Sequence, residues 1–144
     1  MDHVAIMKKA WKLTEKILSG EKTIESRWYM SKIAPWNRIK KGETVYFKNA
    51  GEPITLKAEV EKVTQYPTLT PQVIKELLSR YGGKGDICIT DLEKTYRLCQ
   101  SKRYCMLIFL KKPEKVKPFK IDKKGYGNMS AWLCVENIDQ IKVS

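Results

Sequence analysis

The spacing of hydrophobic positions along this chain changes period several times, and each change predicts an element. Residues 3–7 (His3-Val4-Ala5-Ile6-Met7) are a short apolar run that predicts a buried first strand. Ala10, Leu13, Ile17 and Leu18 then recur at helical spacing, and Gly20 stands where a helix-ending residue takes the left-handed conformation. Past Gly20 the period becomes two. Lys22, Ile24 and Ser26 alternate with Thr23, Glu25 and Arg27, which puts Glu25 and Arg27 on one face of a strand running to about Tyr29. Residues 30–41 read as a loop, 44–48 as a strand, and 54–65 as a long strand with Ile54, Leu56, Ala58 and Val60 on one side.

Thr70-Pro71 is a helix start, with a capping hydroxyl and a proline at the first helical position. Val73, Ile74, Leu77, Leu78 and Tyr81 supply its buried stripe, and Gly82-Gly83 stops it. Thr90-Asp91-Leu92-Glu93 matches a capping box and predicts a short helix to about Cys99. Residues 104–110 are all apolar and predict the most buried strand; residues 111–120, with Pro113 and Pro118, read as an edge or a connector. Residues 125–128 read as a flexible aromatic loop, and Trp132 opens a closing strand. Several strands joined by short connections predict a mainly β (α+β) chain: a mixed or antiparallel β-barrel, closed or nearly so, with flanking α-helices.

Composition narrows the class. At 144 residues, 42% apolar and 31% charged, the chain reads as one globular domain spanning residues 1–144, long enough to bury about 68–70% of its unfolded surface. No run approaches a membrane span and no signal-peptide pattern opens the chain, so the expectation is a cytoplasmic protein with no membrane partner. Four cysteines without a paired spacing and a single histidine, His3, give no metal-site pattern and no cofactor fingerprint. Cys105 and Cys134 lie in apolar runs and read as small core residues, and His3 has no partner visible in the sequence.

Charge changes the picture most. Lys and Arg number 28 against 16 Asp and Glu, a formal charge of +12. The excess is uneven: residues 94–124 contain eleven basic side chains and only two acids, Glu114 and Asp122. Such a face attracts polyanions and favours nucleic acid through counterion release. In the loop at 30–41, Trp36 stands beside Asn37, Arg38, Lys40 and Lys41, a mixture suited to a base on a ring with its phosphate nearby.

The stretch Gly20-x-Lys22-Thr23-x-Glu25-x-Arg27 resembles the signature of the ASCH domain family, small relatives of the PUA-like β-barrels. The likeness continues through residues 35–47 (Pro35-Trp36-Asn37-Arg38-Ile39 and Gly42 among them) and returns at 125–132, from Gly125 to Trp132. The resemblance implies that Lys22, Glu25 and Arg27 line a central pocket. Comparable pockets hold RNA or a modified base. Lys22 and Arg27 would hold phosphate or a base carbonyl, Glu25 would accept a base proton, and Trp36, Tyr126 or Trp132 would offer stacking faces.

These features predict a domain binding RNA or single-stranded nucleic acid, as a monomer or weak dimer. The expected contacts are Lys22, Arg27, Trp36, Arg38, Lys40, Lys41, Lys48, Arg103, Lys111, Lys112, Tyr126 and Trp132. Two alternatives stay open. One is a hydrolase of RNA or of an acylated nucleoside, with Lys22 and Glu25 as catalytic groups, since the resemblance extends to ribonucleases and acyl-cytidine amidohydrolases. The amidohydrolase pattern has a hydroxyl where this chain has Glu25. The other alternative is a basic module that binds an acidic protein.

Overall fold

The computed structural model describes residues 1–127 and 130–143. Asn128 and Met129, part of the aromatic loop and of the C-terminal motif above, lie outside the described residues, as does Ser144. The strands are β1 (Asp2–Met7), β2 (Ile24–Tyr29), β3 (Thr44–Asn49), β4 (Ile54–Tyr66), β5 (Tyr104–Ile121), β6 (Trp132–Val135) and β7 (Lys142–Val143). The α-helices are α1 (Leu13–Ser19), α2 (Pro71–Tyr81) and α3 (Leu92–Cys99).

The strands form one curled sheet in the order β2-β5-β4-β3-β1-β6, with β7 added to the far end of β5. Every pairing is antiparallel except β1 with β3, so the sheet is mixed. The parallel pair is possible because α1 and β2 lie between those strands in sequence, supplying the crossover that parallel neighbours need. The result is a half-barrel whose two edge strands, β2 and β6, are not paired with each other.

Alternation along each strand divides the side chains between the hollow and the outside. Ala5 and Met7 of β1, Val45 and Phe47 of β3, Leu56, Ala58 and Val60 of β4, and Met106, Ile108 and Leu110 of β5 meet in one interior cluster. On the outer face, Leu77 of α2 packs against Ile24, Cys105 and Leu107, and α3 closes over Ile74 and Leu78. A third cluster joins Val4, Leu133 and Val135 to Val116 and Phe119 of distal β5. Each fully buried aliphatic or aromatic side chain in these layers contributes about 1.5–3 kcal/mol.

Most elements lie where the pattern predicts, and three differences have physical reasons. The helix expected to include Ala10 begins only at Leu13, because Lys12 turns left-handed (φ 54°) after a 3-10 turn at Lys9–Trp11. The cap of α3 is Asp91 and not Thr90: its carboxylate accepts from the Lys94 N–H at 3.0 Å. Finally, residues 111–120 continue β5, paired with β4 as far as Phe119. The prolines are tolerated because the ladder bulges there. The register slips opposite Lys57–Glu59, where Pro113 lies, and opposite Ile54–Leu56, where Pro118 lies.

Candidate functional site

Gly20, at φ 86°, ends α1 and turns the chain so that Lys22 and Thr23 lead into β2. The Thr23 N–H bonds the Asp86 carbonyl, which anchors the start of the strand. In β2, Glu25 and Arg27 share the interior face, with Ile108 and Met106 of β5 as their cross-strand neighbours. Lys22 lies before the strand, so its side chain is not held to the alternation and reaches the same face.

There the three charges form a closed set. Glu25 Oε2 lies 3.0 Å from Arg27 Nη2, and Glu25 Oε1 lies 3.5 Å from Lys22 Nζ. The ammonium also donates to the carbonyls of Ile24 (2.8 Å) and Ile87 (3.0 Å), so its three N–H bonds have three acceptors. Lys22 and Glu25 are both only 3% exposed. Burial pushes the Lys22 ammonium below the usual lysine range, and Glu25 only partly offsets it. Burial would also push the Glu25 carboxyl up, but Arg27 and Lys22 together hold it below the ordinary carboxylate range.

Arg27 does more than pair with Glu25. Its Nη1 donates to the Ala131 carbonyl at 3.4 Å, and its guanidinium lies 5.0 Å from the Trp132 ring centroid. Arg27 belongs to edge strand β2 and Trp132 to edge strand β6. A side chain therefore spans the seam that no backbone ladder closes.

The polar chain continues beyond Trp132. The indole Nε1–H donates to Nδ1 of His3 at 3.1 Å, and Nε2 of His3 lies 2.9 Å from Glu43 Oε1. An indole can only donate, so Nδ1 must be the acceptor and Nε2 carries the proton toward the carboxylate. His3, without a visible partner in the sequence, is thus a fully buried histidine with two. Glu43 and Trp132 stand 40 and 129 residues away, beyond any local spacing argument.

The structure separates the other predicted contacts. Trp36 is buried against Tyr104, edge to face at 5.3 Å, and Trp132 is buried between Arg27 and His3. Packing covers both rings, the ones expected from the sequence to stack on a base. Arg38, Lys40 and Lys41 are exposed on the loop at the barrel end, and Arg103 is exposed just before β5. Lys48 is half-buried; burial lowers its pKa, with Lys123 contributing. Tyr126 packs on the third cluster. Lys111 and Lys112 lie on distal β5, where Lys112 pairs with Glu59 at 3.7 Å. Lys111, Lys115, Lys117 and Lys120 take part in none of the ion pairs found among the described residues.

Among the described residues no group of three or more His, Cys, Asp or Glu side chains is placed to hold a metal ion, and no helix is long and apolar enough to cross a membrane. Burial pushes the Cys99 thiol up to about 11 and that of Cys105 higher still, as for inert core cysteines.

No family model matches the chain, and no curated protein matches it in sequence. Solved structures do. The architecture is that of a mixed half-barrel with helices on its outer face. Within that class the fold is the ASCH fold, shared with the ASCH protein of Zymomonas mobilis: TM-score 0.67, 96% of this chain and 90% of that one covered, 16% identity. A single-site mutant of the same Zymomonas mobilis protein gives a TM-score of 0.69 over 96% and 93% of the two chains, again at 16% identity. A hypothetical protein of solved structure is similar over 81% of this chain and all of its own, with a TM-score of 0.53 at 21% identity.

Proposed function

We propose that this chain is an RNA-binding domain whose affinity comes from the lysines of distal β5 and whose buried Lys22–Glu25–Arg27 set holds the barrel in shape. One observation carries the reading. The interior charges are all matched by partners, whereas Lys111, Lys115, Lys117 and Lys120 of distal β5 take part in none of the ion pairs found among the described residues. Unmatched surface ammonium groups in a chain of formal charge +12 have one strong class of complement, a row of phosphates. The ASCH fold, related to the PUA-like barrels of RNA-binding proteins, points the same way.

The hydrolase reading keeps one specific support, the lowered pKa of the buried Lys22. Against it stands the saturation of that amine. To accept a proton from a substrate, Lys22 must first be deprotonated and released from a carbonyl of Ile24 or Ile87.

The test is single-stranded RNA binding by the whole chain as a function of salt. Replacing Lys111, Lys115, Lys117 and Lys120 together by Gln is expected to reduce the slope of log affinity against log salt by roughly 3, from about 0.7 per phosphate contact. An unchanged slope rejects distal β5 as the binding face. RNA that is consumed during incubation favours the hydrolase.

A further inference from the structure

We propose that the groove between the loop at residues 37–40 and the end of β4 seats a single 6-keto purine, guanine in ordinary RNA. The inference rests on the RNA-binding reading and adds a base-selective seat to it. The groove has a volume of about 310 Å³ and is lined by Asn37, Ile39, Lys40, Val63 and Gln65. That is at the small end of ligand sites, about 300–1,000 Å³, and suits one base better than a larger ligand. Ile39 and Val63 give it apolar walls, both packed into the interior cluster.

Its polar edge is fixed by an unusual pair. Asn37 has a left-handed backbone (φ 57°), a conformation asparagine tolerates, and its N–H donates to Gln65 Oε1 at 2.7 Å. Gln65 Nε2 returns a bond to Asn37 Oδ1, also at 2.7 Å. The orientation of both amides follows from chemistry. A backbone N–H can only donate, so it must face the Gln65 oxygen; the Gln65 NH₂ then faces Asn37, so the Asn37 oxygen must face Gln65. The unused hydrogens are therefore the Asn37 NH₂ and the second N–H of Gln65. Lys40 also lines the groove and makes none of the ion pairs found among the described residues. The N–H hydrogens left free by this pair therefore point donors at the groove.

A row of donors selects a ligand edge made of acceptors. Guanine presents two in adjacent positions, O6 and N7, whereas adenine presents N7 beside an amino group that would meet a donor. The groove is also joined to the interior face described above. Gln65 and Arg27 are both cross-strand partners of Met106, so they flank it on one face, about 10 Å apart at two strand spacings.

The experiment compares the whole chain's affinity for short uridine oligonucleotides that differ in one central purine: guanosine, inosine or adenosine. Inosine keeps O6 and N7 and lacks only the amino group. Guanosine and inosine are expected to bind alike, and adenosine about ten-fold more weakly. Gln65→Glu keeps the acceptor for the Asn37 N–H but sets a second oxygen against Asn37 Oδ1. The Asn37 amide then turns over, presents its carbonyl to the groove, and reverses the preference toward adenosine. Asn37→Gly, which keeps the backbone conformation, abolishes the preference without changing the salt slope. Equal binding of the three oligonucleotides by the unmodified chain overturns the inference and leaves RNA binding standing. Guanosine favoured over inosine also overturns it, because the amino group would then be the feature read. No binding of any oligonucleotide overturns both readings.

Discussion

Lys22 and Lys117 carry the same ammonium and meet opposite surroundings. Lys22 is buried, held by two carbonyls and a carboxylate, and adjoins a chain of polar contacts that runs through Glu25, Arg27, Trp132 and His3 to Glu43. Lys117 stands exposed on distal β5 and makes none of the ion pairs found among the described residues. The difference teaches that a count of charges says little about what each charge does. A buried cation whose donors are all used is costly to leave without its partner, and so it fixes geometry. An exposed cation adds little stability and is free to meet a phosphate. The comparison is breakable, because the two sets should fail in different assays.

The largest effect is expected from Glu25→Gln. It leaves Lys22 and Arg27 facing each other across a neutral amide in the barrel interior. Removing one partner of a buried pair typically costs about 3–5 kcal/mol, since the remaining charge keeps its desolvation penalty. Denaturant unfolding measures this directly. A loss below about 1 kcal/mol, together with reduced RNA affinity, would move Glu25 from the scaffold to the binding site and break the comparison.

Arg27→Lys is the next step down, and it tests the seam. Lysine keeps the charge beside Glu25 but loses the planar fork that also reaches Ala131 and lies against Trp132. The expected cost is about 1–2 kcal/mol, the scale of one charge-assisted hydrogen bond together with a partly desolvated cation–π contact. The salt slope of RNA binding should not move. Unchanged stability with weaker binding would instead place the guanidinium against the ligand.

The other end of the polar chain responds to pH. Burial lowers the His3 pKa, and a second proton would land on Nδ1, opposite the Trp132 N–H. The unfolded chain therefore binds this proton more readily than the folded one. The histidine's contribution to stability is complete above its ordinary value near 6.5 and is lost as pH falls through the lower folded value. Melting temperature should drop over that interval, and His3→Gln, which cannot titrate, should remove the step. Glu25, also held low, acts only below the ordinary carboxylate value near 4.5, so the two windows open at different pH.

How much of this was legible in the sequence depends on how local the cause is. Glu25 and Arg27 on one face follow from a period of two, and α2 follows from Thr70-Pro71, because both signals lie within a few residues. The early end of the α1 stripe did not follow, since nothing at Lys12 announces a left-handed backbone. Pro113 and Pro118 signalled a break where β5 instead bulges against β4, a feature that shows only once the two strands are paired. At the candidate site the motif brought Lys22, Glu25 and Arg27 to one place. It gave no hint of His3 with Glu43, nor of Gln65 opposite Asn37, because those pairs exist only once distant strands are in register. Trp36 and Trp132 show the converse: a large ring in a polar stretch of sequence suits a base, but it also suits the nearest apolar cluster, which took both.

The smallest expected change sharpens the comparison most. Lys111, Lys115, Lys117 and Lys120 take part in none of the ion pairs found among the described residues, so replacing all four by Gln breaks none of those pairs and leaves no charge buried. Surface substitutions of this kind usually stay within about 0.5 kcal/mol each, and relief of mutual repulsion in a chain of formal charge +12 pushes the sum toward stabilisation. The packing beneath is untouched, because Val116, Phe119 and Ile121 are the residues of this segment that reach the third cluster. Unfolding free energy should therefore be equal or slightly higher while the salt slope of RNA binding collapses. The two outcomes are read on one purified variant, by denaturant titration and by RNA affinity at several ionic strengths. A marked loss of stability would mean that these lysines brace the distal strand after all, and the contrast with Lys22 would then be one of degree.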